Sequence, residues 1–309
     1  MSPDIRDERS QWLWPEYYQA FPAFSEKTVR KGCHPRKMVH PGGADQAVVL
    51  VHGLSDSPYF MAAIGEYFHA TLGYDVYIPL LQCHGLKCPE RMVGVSLTEW
   101  QKNVRFAIVS ATATARRVSI GGLSTGGALG YLFACMEPAI NGDLYLFSAA
   151  LGLSAWPFGI PGRFKEWLLR RQWIGRLDTS RPMVGNHPYR YDRISLNSAA
   201  ELAVLIGQIK AMPCRFADSD KPDRRIFAAW SECDTVVSLD KIRNLQKQIP
   251  AGRFRSFIIS AADRVDHACV VLREPIYGLL DPPGSPPLEK ANPRFAEMLA
   301  AVDRFARGN

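Results

Sequence analysis

The stretch VSIGGLSTGGALGYL, from Val118 to Leu132, changes from a β-branched pattern to a small-residue helical pattern at Gly122-Leu123-Ser124-Thr125-Gly126. A serine hydroxyl is a poor nucleophile at neutral pH and needs a base to take its proton as it attacks. A Gly-x-Ser-x-Gly junction between a strand and a helix suits that task, because the glycines make room for a sharp turn that points the hydroxyl outward. The pentapeptide alone says little, since Gly, Ser and Thr gather in any turn. Two residues further along the chain give it weight. Asp234 comes just after the apolar run RRIFAAW and His267 soon after RFRSFIIS. A nucleophile, an acid and a base therefore appear in the order Ser124, Asp234, His267, each past an apolar run. His52-Gly53-Leu54-Ser55 closes a further run of this kind, QAVVLV.

These residues need a scaffold that brings the ends of distant segments together. QAVVLVHG is a continuous apolar run ending in Gly, the pattern of a strand buried on both faces. DVYIPL, RRVSIGG, LYLFSA, RRIFAAW and RFRSFIIS read as further strands. Two short strands are expected earlier, around Thr28–Lys31 and Arg36–His40. Between them lie helical patterns: AAIGEYFHATLGY closed by Gly73, a helix opened by the capping box Ser96-Leu97-Thr98-Glu99 and running through Trp100, Val104 and Ile108, the segment after Ser124, and a closing helix in PRFAEMLAAVDRF. Strand–helix alternation predicts an α/β fold with a mostly parallel sheet covered by helices on both faces. In such sheets, sites lie beyond the carboxyl ends of the strands, where Ser124, Asp234 and His267 fall.

Composition narrows the class. The chain has 309 residues, 47% apolar and 22% charged, with a net charge of +7, enough for a sizeable core. The N-terminal MSPDIRDERSQWLWPEYY is acidic and lacks the apolar core of a secretory signal, and no apolar run is long enough to span a bilayer. Seven irregularly spaced cysteines do not make a disulfide framework, so a cytoplasmic, reduced protein is the expectation. The charge fits an acidic substrate, a membrane surface or plain solubility. No zinc-finger spacing, RNA-binding signature or basic tail points to nucleic acid.

The pieces VVLVHGLSDSP, YIPLLQCHG, SLTEWQKNV, GLSTGG, ECDTVV and VDHA, spread over residues 47–270, resemble the α/β-hydrolase superfamily. Within it the chain is similar to the group of monoacylglycerol lipases and small bacterial carboxylesterases. The resemblance implies an α/β-hydrolase fold with a cap insertion, and a serine hydrolase that cleaves a carboxylic ester through an acyl-enzyme. Its small-molecule ester would carry an apolar acyl part, and no metal or organic cofactor would be required. Ser124, Asp234 and His267 would be the triad, and the backbone N–H groups of Leu54 and Thr125 the oxyanion hole. His52 and His84 would be structural, packed under the oxyanion loop. A thioesterase or acyltransferase with the same triad is the alternative, and a non-catalytic small-molecule receptor a more distant one. A dehalogenase or epoxide hydrolase is disfavoured, because those need Asp at position 124. Three features depart from the pattern. The loop after DVYIPL, the fourth strand of this reading, has Cys83-His84-Gly85 where Gly-His-Gly is usual, the N-terminal segment is long, and EPIYGLLDPPGSPPLEKANP extends the tail after His267.

Other assignments compete. Glu232 and Asp240 are candidates for the acid, and Asp266 reads as structural. Cys83, His84, Cys88, Cys233 and Cys269 fall on loops near the site, where scattered free thiols are a better reading than a metal or redox cluster. The expected organisation is an N-terminal segment, 1–46, packed on the core through Trp12, Trp14, Tyr17, Tyr18, Phe21 and Phe24; a core of 47–153 and 224–309; and a cap, 154–223. The cap holds Trp156, Phe158, Trp167 and Trp173 among arginines. Those residues suit either a helix packed on the core or an apolar lid that meets substrate or a lipid surface. A second cap helix, SAAELAVLIGQIKAM, is expected to pack back on the sheet side.

Overall fold

The computed structural model describes residues 12–154, Leu169, 182–212 and 224–308. Seven strands form one sheet: β1 (Arg36–Met38), β2 (Gln46–Val51), β3 (Asp75–Ile78), β4 (Arg117–Leu123), β5 (Leu144–Phe147), β6 (Ile226–Ser231) and β7 (Phe254–Ile259). Their spatial order is β1-β3-β2-β4-β5-β6-β7. Only β1 runs antiparallel, paired with β3, and every other pairing is parallel. All six long apolar runs of the sequence became strands. The expected strand at Thr28–Lys31 did not form. Val29 makes a single bridge to Leu86 instead, and DVYIPL therefore supplies the third strand of the chain rather than the fourth.

Seven α-helices are described: α1 (Pro15–Ala20), α2 (Tyr59–Ala70), α3 (Leu97–Thr112), α4 (Thr125–Met136), α5 (Leu196–Ala211), α6 (Leu239–Gln248) and α7 (Phe295–Ala306). Strands β2 to β6 are apolar on both faces because each face meets helices. In β2, Ala47, Val49 and Val51 enter a core shared with residues of α1, α3, α4, α5 and α6. The alternate residues Val48 and Leu50 enter a second core with α2 and α7. The period-two alternation of a strand is thus present inside a continuous apolar run, with both phases buried. The helix α5 packs on α3 and α4, and its Leu202, Leu205 and Ile206 join the core beneath the sheet. Trp156, Phe158, Trp167 and Trp173 lie outside the described residues.

Local signals act as their chemistry requires. The Ser96 hydroxyl accepts the Glu99 N–H at 3.2 Å and caps α3. The other half of the box comes from elsewhere: the Ser96 N–H donates to Gln82 Oε1 at 3.0 Å. Trp14 and Tyr17 are fully buried, and the Trp14 ring lies 5.4 Å from Tyr77 and 5.5 Å from Phe106. The Tyr17 hydroxyl donates to the Leu80 carbonyl at 2.6 Å, which ties α1 to the loop that leaves β3.

Truncating Trp14 leaves a large void between α1, β3 and α3. Trp14→Ala is expected to lower the unfolding free energy by about 3–5 kcal/mol, measured by urea denaturation. A change no larger than that of a surface substitution would show that the segment does not pack against β3 and α3.

Candidate active site

Ser124 sits between the end of β4 and the start of α4 with φ +53° and ψ −115°, a region that side chains rarely occupy. Its backbone is held on both sides. The Ser124 N–H donates to Phe147 O at 3.0 Å, and its carbonyl accepts from Ala128 N at 3.1 Å and Ala150 N at 2.9 Å. The glycines of the motif are explained by one neighbour. A methyl group at Gly122 or Gly126 would overlap the Val51 carbonyl at the end of β2. Helix α4 can therefore start against the sheet only if both positions lack side chains.

Asp234 follows β6 in a tight turn. Its Oδ1 accepts the N–H groups of Val236 at 2.9 Å and Val237 at 3.2 Å. Its Oδ2 faces His267 Nδ1 at 2.6 Å. Burial alone would raise the Asp234 carboxyl. The His267 hydrogen bond and charge, with the two backbone N–H groups, outweigh burial and hold it below the usual carboxylate range. With Nδ1–H engaged by the carboxylate, the neutral His267 ring presents Nε2 as an acceptor. That nitrogen is buried and has no hydrogen-bond partner among the described residues. Ser124 Oγ and His267 Nε2 are not hydrogen-bonded to each other in this structure.

The competing acids are engaged elsewhere. Glu232 Oε2 accepts the Ala261 N–H at 3.1 Å. Asp240 lies on α6 beside Arg243, with its side chain 81% exposed. Asp266 is exposed and caps the following turn through its carbonyl, which accepts Cys269 N at 3.0 Å. Of these four acids, only Asp234 meets His267.

The loop after β2 is held by two buried imidazoles whose rings are 5.1 Å apart. His52 Nε2 accepts the Leu81 N–H at 3.1 Å, so its proton is on Nδ1, which donates to Gly53 O at 2.9 Å. The Gly53 carbonyl and the Leu54 N–H belong to one peptide plane and point in opposite directions. His52 thereby orients the Leu54 N–H. His84 Nε2 lies 2.6 Å from the Leu54 carbonyl, and its Nδ1 2.9 Å from Gln82 O. Trp100 Nε1 also donates to Gln82 O, at 3.2 Å, and both ring nitrogens of His84 face carbonyl oxygens. Burial lowers both histidines, His52 the more strongly, and keeps them neutral. The N–H of Thr125, at the first residue of α4, is one of the helix's orphan donors.

The cysteines near these loops do not converge. Cys88 is exposed. The Cys233 thiol donates to Ala261 O at 3.4 Å and Cys269 to Glu289 Oε2 at 3.0 Å. Burial pushes the Cys83 thiol up to about 11. Burial and the adjacent Glu289 push Cys269 further still. Among the described residues no group of three metal-ligating side chains comes together, and no helix is long and apolar enough to cross a membrane. Glu289 and His187, which close a charged cluster beside this loop, were not singled out in the sequence. The unusual tail contains Glu289, and nothing in the sequence pointed toward His187.

Sheet order, the strained serine elbow and the histidine–carboxylate pair past the last two strands define an α/β-hydrolase. The profile described as serine aminopeptidase, S33, matches residues 42–260, and the chain belongs to that family. Among solved structures, the chain resembles a metagenome-derived lipolytic enzyme from work on LipS and LipT, with TM-score 0.62 and 16% identity over 91% of this chain and 100% of that one. A soluble variant of monoglyceride lipase from Saccharomyces cerevisiae aligns with TM-score 0.60 and 13% identity over 89% and 90% of the two chains. The monoacylglycerol lipase of Paleococcus ferrophilus aligns with TM-score 0.59 and 15% identity over 89% and 99%. None of the curated protein sequences matches the chain.

The lowered Asp234 carboxyl has a consequence for stability. Its contribution is complete above the unfolded carboxylate value of about 3.9 and is lost as pH falls through the lower folded value. The stability difference between wild type and Asp234→Asn should therefore be larger at neutral pH than in strong acid. Urea midpoints at the two pH values measure this, and a difference independent of pH would contradict it.

Proposed function

We propose that this hydrolase cleaves a carboxylic ester by way of an acyl-enzyme, with Ser124 as nucleophile, His267 as general base and acid, and Asp234 as the group that orients and stabilises the imidazolium. The observation that carries this reading is the Asp234–His267 pair at 2.6 Å, whose buried Nε2 is left without a partner past the strand ends where the serine elbow lies. Ser124 Oγ attacks the ester carbonyl carbon while its proton passes to His267 Nε2. The oxyanion forms between the N–H groups of Leu54 and Thr125. It collapses as the carbon–oxygen bond to the alcohol breaks and His267 returns the proton to the leaving oxygen. Water then enters the same sequence and releases the acid. None of these steps calls for a metal or an organic cofactor. The lipase and esterase character of the structural neighbours favours an ester with an apolar acyl part, and a thioester or an acyl acceptor other than water would use the same groups.

The family description favours a second reading, cleavage of an N-terminal aminoacyl amide with the same triad. Leaving-group chemistry separates the two. A series of p-nitrophenyl esters of rising acyl length should be turned over, whereas aminoacyl p-nitroanilides should not; the reverse preference would make the chain a peptidase.

The assigned roles predict the mutants. Ser124→Ala should abolish turnover and labelling by a fluorophosphonate while the fold persists. Asp234→Asn should lose activity by roughly 10⁴, whereas Glu232→Gln should not. Because the Cys83 and Cys269 thiols are held protonated, treatment of a Cys88→Ser/Cys233→Ser variant with iodoacetamide at neutral pH should leave ester turnover intact. Loss of activity on alkylation, with Ser124 unlabelled, would shift the nucleophile to a cysteine.

A further inference from the structure

A buried charge cluster lies beside the oxyanion loop, and the triad chemistry does not use it. Asp56 is 4% exposed. Its Oδ2 rests so close to Gly53 that a methyl group there would overlap it. A carboxylate thus lies against the residue whose peptide carries the Leu54 N–H. Left alone, a negative charge at that position would oppose an oxyanion forming at the same N–H. The compensating cation is Arg190, whose Nε is 3.8 Å from Asp56 Oδ1 and whose Nη1 donates to Glu289 Oε1.

Arg190 is held in place from several directions. It belongs to the turn Asn186-His187-Pro188-Tyr189-Arg190-Tyr191-Asp192. His187 Nδ1 accepts the N–H groups of Tyr189 and Arg190, each at 3.1 Å. The Asp192 carboxylate accepts the N–H groups of Asn186 at 3.1 Å and His187 at 3.3 Å. Arg30, from the N-terminal segment, donates to the carbonyls of His187 and Arg190. The Tyr189 ring stacks on Tyr59 at 3.5 Å. The turn also bonds the oxyanion loop directly, as Tyr191 N–H donates to Ser55 O at 2.8 Å. Glu289, on the far side of Arg190, belongs to the unusual tail and also accepts from the Cys269 thiol, two residues past His267.

We propose that Arg190 is a positioning residue for the oxyanion site, acting through Asp56: it neutralises a buried carboxylate under the loop that presents the Leu54 N–H. Glu289 keeps the guanidinium there. The proposal rests on the serine-hydrolase reading above, and it assigns a role to the turn at 186–192 and to the tail at Glu289. Its signature is that removing both charges is less harmful than removing one. A brace that mattered only for packing would show the opposite, with two lost contacts worse than one.

The test uses the full chain and p-nitrophenyl butyrate. Arg190→Gln should lower kcat by about 30-fold, with KM changed by less than about threefold, because the uncompensated charge is felt mainly as the oxyanion forms. Adding Asp56→Asn to Arg190→Gln should restore kcat by roughly tenfold or more over the single variant. Glu289→Gln, which leaves the Arg190–Asp56 pair, should fall less than Arg190→Gln. A double variant no better than Arg190→Gln would overturn the proposal, as would an Arg190→Gln enzyme with wild-type kcat. If Arg190→Gln fails to fold by near-UV circular dichroism, the double variant, which buries no unpaired carboxylate, carries the test. Folded and active within about tenfold of wild type, it supports the proposal; folded but no more than about a hundredth as active, it overturns it. Fluorophosphonate labelling of wild-type Ser124 keeps the two questions apart. Labelled wild type with no rescue removes only the role of Arg190, and unlabelled wild type removes the serine-hydrolase reading and this proposal with it.

Discussion

The candidate site depends on one steric fact: the Val51 carbonyl occupies the space that a side chain at Gly122 or Gly126 would need. Strand β2 and strand β4 are neighbours in the sheet, and α4 begins where both end. Because the approach is this close, the chain must reverse within a single residue, and that residue takes φ +53°. The strain is held by three backbone hydrogen bonds to the end of β5 and to α4. A serine at this point has its hydroxyl directed by the backbone rather than by its own rotamer alone. The sheet thereby converts burial energy, shared across two cores, into the fixed placement of one hydroxyl.

Electrostatics around the loop after β2 obey a second logic. Two imidazoles are buried, which favours their neutral form, and each places a ring nitrogen against a loop carbonyl, His52 Nδ1 at Gly53 and His84 Nε2 at Leu54. Neutral donors orient peptides without adding a full charge next to the place where charge must develop. The carboxylate that lies against Gly53, Asp56, is paired with Arg190, which Glu289 also holds. The loop is therefore organised by dipoles and by a carboxylate paired with a cation, an arrangement that suits preorganised anion stabilisation.

Much of this was legible in the sequence, for identifiable reasons. Strands β2 to β6 announced themselves because burial on both faces demands continuous apolar runs, and the elbow did so because only glycine tolerates the Val51 carbonyl. Asp234 could be named, but not separated from Glu232 by spacing. What decides between them is a turn that gives Asp234 two backbone N–H groups and sends Glu232 to Ala261. The strand expected at Thr28–Lys31 failed because its one pairing partner is an isolated residue, Leu86, in a loop. Arg190, Glu289 and His187 were invisible as a group. Glu289 lies far along the chain from His187 and Arg190, the three carry no motif, and they acquire meaning only when a turn, a tail and the loop after β2 are brought together in space.

Contacts of such long range also set an order of events during synthesis. Everything that shapes the serine elbow is present once Ala150 has left the ribosome. Asp234, His267 and Glu289 emerge much later, at ~5–20 residues per second. Arg30 waits longer, since its acceptors lie 157 and 160 residues downstream. Closing loops of that size is entropically slow, and topology of this kind delays folding. The Asp234–His267 pair therefore forms only once β6 and β7 have docked, at the end of folding rather than along the way.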